Sequence, residues 1–172
     1  MDYESYLNQG IIRLLETVEK EKYILFHKTA YEDDIKVAEM LLTSSFRWAI
    51  IAGYYAMHDI TKLYLAKHHN LKISEKGVHL AAVVALRYVL SDNEQKKKVL
   101  LLLAEAKKTY DIFSTPLKEK VIPAILNKGK EEREKTQYYS EEKINLEKSL
   151  EFQEKIVRPY VDIMKKMIGN DK

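Results

Sequence analysis

From Trp48 to Met57 every residue is apolar, aromatic or glycine. A helix that is hydrophobic all round must be covered on every side, so this stretch belongs at the centre of a domain. Ala49, Ala52, Gly53 and Ala56 form a strip of small residues at three- and four-residue spacing, which lets a neighbouring helix approach closely. Gly53 costs about 1 kcal/mol against alanine in a helix interior, and close packing compensates for it there. The run sits inside a longer helix predicted over residues 46–69, carrying Ala52-Gly53-Tyr54-Tyr55-Ala56-Met57-His58.

Around it the pattern is helical throughout. Leu7, Ile11, Leu14, Leu15 and Val18 recur at helical steps and predict a first helix over residues 3–26. Thr29 and Glu32 have capping-box spacing and predict the start of a second helix, with Thr43-Ser44-Ser45 a short break before the third. A polar connection from Asn70 to Lys76 leads to a fourth helix over residues 77–90. Ser91 and Glu94 form a second capping box, opening a fifth through Val99-Leu100-Leu101-Leu102-Leu103. Pro116 reads as the first position of another helix, Pro123 kinks the piece that follows, and Ser140 caps a last helix. In it Ile144, Leu150, Ile156, Val157, Tyr160, Val161 and Met164 supply the apolar contacts. No strand-period alternation or internal repeat is found. The expected architecture is one all-α domain over residues 1–172, an antiparallel bundle of four to five main helices with a helical insertion at residues 92–126.

Composition agrees. Five glycines and three prolines in 172 residues leave few tight turns. Charged residues make up 32%, mostly Lys and Glu, as expected of solvated helix faces and of thermophilic proteins. There is no cysteine, which removes disulfides and thiol chemistry. No stretch reaches 18 apolar residues without a charge, and the start is not a basic signal peptide, so a cytoplasmic protein without a membrane span is expected. A net charge of +3 does not by itself imply nucleic-acid binding.

Several chemistries are missing. No histidine has a glutamate three positions before it, as a di-metal helical bundle needs. The zinc-protease pattern, the phosphate-cradling glycine loop and the nucleophile elbow are absent too. His68 and His69 are adjacent and point apart from a helix, so they do not chelate one ion. Glu75 and His79 share a face only if their helix begins early, and a hydrogen bond is then the commoner outcome. No metal or cofactor is expected.

The polar residues of interest are few. Arg47, Tyr54, His58 and Lys62 follow one another at steps of seven, four and four on the central helix, and Tyr55 and Asp59 lie four apart on a neighbouring face. They read either as a nucleotide- or RNA-facing seam or as core aromatics with a satisfied buried histidine. Further on, Arg133 and Tyr138 stand at the approach to the last helix. Arg133 suits a phosphate, and Tyr138 can stack on a base. The alternative is an ordinary solvated helix.

Together these segments resemble the HEPN superfamily of small prokaryotic helical domains. The resemblance rests on Tyr54-Tyr55-Ala56-Met57-His58 in the central helix, His79 opening the next, and the Arg133-x4-Tyr138 signature before the last helix. It implies a helical bundle that pairs as a homodimer, with the late Arg motif near an intersubunit cleft. It also implies a possible small nucleotidyltransferase partner in a toxin–antitoxin setting, and a nucleotide or RNA ligand at Arg47, Tyr54, His58, His79, Arg133 and Tyr138. Many relatives are metal-independent endoribonucleases using Arg-x4-6-His. Here no Arg is followed by His five to seven positions later, and Tyr138 stands at that place. Metal-free RNA cleavage needs a group that moves a proton near pH 7; histidine titrates near 6.5 and tyrosine near 10. The expected function is therefore a non-catalytic HEPN-type binding module. The alternative is a divergent ribonuclease with Arg133, Tyr138 and His58 as catalytic candidates.

Overall fold

The computed structural model describes residues 2–74, 78–91, 93–116 and 146–169. Its elements, in chain order, are α1 (Tyr3–Asn8), β1 (Ile12–Leu14), α2 (Thr17–Leu41), α3 (Phe46–His69), β2 (Leu71–Ile73), α4 (Val78–Val89) and α5 (Glu94–Pro116). A final rod follows: α6 (Leu146–Phe152), a π-turn (Gln153–Val157) and α7 (Arg158–Gly169). The described chain is a helical bundle with a small two-stranded antiparallel sheet.

α3 is the axis. Its residues from Ala49 to Tyr54 are all buried, and α2, α4, α5 and the final rod all pack on it. The central helix thus has the bounds expected from its sequence, and the run is covered except at Trp48 and Tyr55, which are exposed. The described part of 92–126, read as an insertion, includes α5, which buries Val99, Leu103, Ala106 and Tyr110 within the core.

Five local readings are corrected. Residues 3–26 are not one helix: Gly10 takes a positive φ of 66°, open to glycine without a Cβ clash, and α1 stops before it. The chain then forms β1, paired Ile12 to Ile73, Arg13 to Lys72 and Leu14 to Leu71. The polar connection after α3 is therefore partly a strand, aimed by Asn70 in the left-handed conformation at φ 55°, which asparagine tolerates at a helix end. The Thr29–Glu32 pair starts nothing, because α2 runs through it from a capping box formed by Glu16 and Glu19. Pro116 belongs to α5, as its last described residue, and is not the first position of a helix. The fifth helix is capped by Asn93, whose Oδ1 accepts from the Lys96 amide at 2.9 Å. Ser140 and Pro123 lie outside the described residues.

One sheet detail matters for electrostatics. Arg13 and Lys72 sit directly opposite each other, which like charges resist. Glu19 resolves this by taking Arg13 at 2.7 Å and Lys72 at 2.6 Å. Both cations hold its carboxyl down at about 2, Arg13 most strongly.

The final rod is keyed to α3 by polar groups. Ser149 Oγ donates to the Phe46 carbonyl at 3.3 Å, and Gln153 Nε2 donates to the Ala49 carbonyl at 2.9 Å. Further along, Thr61 Oγ1 donates to the Met57 carbonyl at 2.6 Å. With its one proton spent, Thr61 accepts from the Tyr160 hydroxyl, also at 2.6 Å. The π-turn between Gln153 and Tyr160 has a local cause. Pro159 lacks an amide and its ring clashes with the carbonyl four residues back in an α-helix. Widening the preceding turn, so that the Arg158 amide bonds the Gln153 carbonyl, carries the rod past the proline without a break.

Candidate functional site

The site begins with small residues. Ala81, Ala82 and Ala85 on α4 are fully buried and let its backbone approach α3. That places His79, in the first turn of α4, over His58. His79 Nδ1 and His58 Nε2 are 3.0 Å apart, with the rings edge-on at 4.4 Å. α5 supplies Tyr110, four residues after buried Ala106 on the same face. Tyr54 stacks on Tyr110 at 4.2 Å and meets His58 edge-on at 4.7 Å. The Tyr55 and Tyr110 hydroxyls are 3.2 Å apart.

Burial grades across this cluster. Tyr54, His58 and Tyr110 are 1–2% exposed, whereas Tyr55 is 40% exposed and forms its outer edge. His79 is half-buried. The cluster is a closed aromatic floor with one open lip.

The hydrogen-bond count assigns the proton between the imidazoles. His58 Nδ1 is buried and has no partner among the described residues. If His79 donated, neutral His58 would carry its own proton on that Nδ1 as a buried N–H without an acceptor, the costlier kind of orphan. His58 Nε2–H therefore donates to His79 Nδ1. Burial pushes the His58 pKa well below the ordinary histidine value, and His79, Lys62 and Lys107 push the same way. Burial also raises the Tyr54 hydroxyl, and Tyr55 is raised to about 12 by burial and its bond to Tyr110. Tyr54, Tyr55 and His58 are therefore neutral at physiological pH.

Charged groups surround this floor. Toward α2, His27 Nδ1 lies 2.7 Å from Asp59 Oδ1, with Lys62 Nζ at 3.7 Å from the same oxygen. His27 is 4% exposed; burial lowers its pKa, opposed by the Asp59 bond. Asp34, one helix face along α2, is raised to about 6 by burial, then by Asp59 and Asp33. On α5, Lys107 pairs with Asp111.

The expected residues are placed as follows. Tyr54, His58 and His79 come together with Tyr55. Tyr54 is both a core aromatic and a member of the cluster. Arg47 is half-buried in the first turn of α3, seven residues or about 10 Å of helix rise from Tyr54, and burial lowers its pKa. Lys62 turns to Asp59. Arg133, Tyr138 and Glu75 lie outside the described residues. Tyr110, His27 and Asp34 were not singled out in the sequence, although Val99, Leu103, Ala106 and Tyr110 stand at helical spacing that marks Tyr110 as core-facing. His69 bonds the Tyr64 hydroxyl at 3.2 Å. Among the described residues no group of three or more His, Asp or Glu is placed to hold a metal, and no described helix is long and apolar enough to cross a membrane.

Chemically, the cluster offers aromatic faces, phenol hydroxyls and one half-exposed imidazole. Compared with family models, curated proteins and solved structures, the chain gives no match in any of the three.

Proposed function

We propose that this chain is a non-catalytic binding module of the HEPN type, taking a nucleotide or a short single strand of RNA on its aromatic cluster. The observation that carries the reading is the meeting of Tyr54, Tyr55 and Tyr110 with His58 and His79, three elements converging on one floor whose lip, Tyr55, stays 40% exposed. Of the three tyrosines only Tyr55 is open to a base, and a base stacked on such a ring gains about 1–3 kcal/mol whatever its sequence. Phenol and imidazole edges supply hydrogen bonds to base or ribose. Arg47 and Arg133 are the cations this reading assigns to phosphate. The same module would pair with a second copy and serve beside a small nucleotidyltransferase.

A binding role fits the site better than RNA cleavage. A proton shuttle must reach its substrate, and His58 is 2% exposed with its proton committed to His79. A pKa driven far below 7 also leaves it a weak base.

Fluorescence anisotropy with labelled AMP and labelled short oligoribonucleotides tests the reading. Saturable binding is expected, weakened about tenfold or more by Tyr55→Ala and largely kept by Tyr55→Phe, which retains the ring. No binding of either probe at millimolar concentration sinks it. Metal-free RNA cleavage by the pure protein, lost in Arg133→Ala, overturns the non-catalytic part.

A further inference from the structure

We propose that the outward face of α2 is the contact between two copies of this chain, packed antiparallel about a twofold axis. α2 is 25 residues long yet buries only His27, Tyr31 and Ala38. On its other side Val18, Leu25, Phe26, Val37 and Met40 are all exposed, Val18 to 96% and Met40 to 74%. Single exposed apolar residues are ordinary; five on one helix are a patch. Lys22, Phe26, Thr29, Asp33, Lys36 and Met40 are all exposed and follow at alternating four- and three-residue steps. That is the spacing of an interhelical seam, here with Phe26 and Met40 as its apolar positions and polar residues between them. Val18 and Leu25 flank it on one side, Val37 on the other.

Charge selects a second copy, and selects its direction. Before Thr29 the helix holds Lys20, Lys22 and Lys28 against Glu19 and Glu21, and Glu19 is already taken by Arg13 and Lys72. Beyond Thr29 it holds Glu32, Asp33, Asp34 and Glu39 against Lys36 alone; Lys36 lies 3.0 Å from Asp33, and Arg158 of the final rod lies 3.3 Å from Glu39. A basic first half and an acidic second half are the reverse of what the helix's own dipole favours. They match an antiparallel copy of the same helix. In the register that sets Phe26 against Thr29 of the other copy, Lys22 of each meets Asp33 of the other. A parallel pair would set Lys22 on Lys22 and Asp33 on Asp33. The apolar residues supply the adhesion and the charges fix orientation.

Sedimentation equilibrium of the full chain tests this without any nucleotide, so its outcome is independent of the ligand-binding reading. The wild type is expected to be a dimer. Lys22→Asp and Asp33→Lys should each weaken it about tenfold or more, by placing like charges together. The double variant carrying both should restore it, and Phe26→Asp should give a monomer. All these positions are exposed, and unchanged circular dichroism verifies folding in each. A wild type monomeric at millimolar concentration overturns the proposal, as does a dimer indifferent to Phe26→Asp or unrestored by the double swap.

Discussion

Gly53 and Gln153 are matched to each other: a Cβ on Gly53 would lie 2.5 Å from Gln153 Nε2 and 3.0 Å from Val157 Cγ2. The bare backbone at Gly53 is what allows the Gln153 amide to reach the Ala49 carbonyl at 2.9 Å inside a seam that excludes water. Gly53→Ala should therefore destabilise the protein by about 1–3 kcal/mol, although alanine is the better helix former. Urea denaturation measures it. Gln153→Ala removes the 2.5 Å contact and leaves the one to Val157, so the double variant should lose less than the sum of the two singles.

Thr61 and Tyr160 give a second asymmetric pair. Thr61→Val leaves the buried Tyr160 hydroxyl without its acceptor and should cost about 1–3 kcal/mol. Tyr160→Phe removes a donor, but Thr61 still donates to Met57, so its cost should be smaller. Adding Tyr160→Phe to Thr61→Val should recover part of the stability, as read by thermal denaturation.

His58 makes stability fall on the acid side. Its folded pKa is depressed, so below the unfolded value of about 6.5 the unfolded chain takes up a proton that the folded chain refuses. The contribution is whole above that value and is lost as pH falls toward the folded pKa. Denaturation midpoints should decline from about pH 6.5 downward, and the His58 ring resonances in NMR should stay at neutral-imidazole shifts there.

Asp34 works in the opposite sense. Its carboxyl is raised to about 6, so the folded chain binds the proton more readily and a cost appears as pH rises through that value. Asp34→Asn should stabilise the protein at pH 8 by about 1 kcal/mol, allowing for solvent screening of a half-exposed group. The gain should vanish by about pH 4, near the unfolded carboxyl pKa.

Glu19 is the acid-side anchor of the sheet. Its folded pKa of about 2 means its contribution is complete above the unfolded value of about 4.5 and lost as pH falls toward 2. Glu19→Gln should lower the melting temperature at pH 7 at low salt, where Arg13 and Lys72 then face each other unscreened. Added salt should narrow the difference from wild type.

The parts legible in sequence were those where one helix's own chemistry decides the outcome. The run from Trp48 to Met57 could only be central, and the strip containing Gly53 could only serve close approach. Tyr54 and His58 were visible together because a four-residue step shares a face, with Tyr55 on the neighbouring one. The misread places are those where a distant segment decides. Ile11 and Leu14 fit a helical stripe, and only the pairing with Leu71 to Ile73, nearly sixty residues away, makes Ile12 to Leu14 a strand. Thr29 and Glu32 have cap spacing, but nothing ends the helix before them.

By itself, then, the sequence determined that α3 would be a buried axis with other helices around it, since an all-apolar helix has no stable place in water. What only the tertiary structure decided is which side chains meet on that axis. His79 and Tyr110 reach His58 and Tyr54 because the alanines of α4 and the packed face of α5 set interhelical distances. Such distances depend on several segments at once, and no local period encodes them.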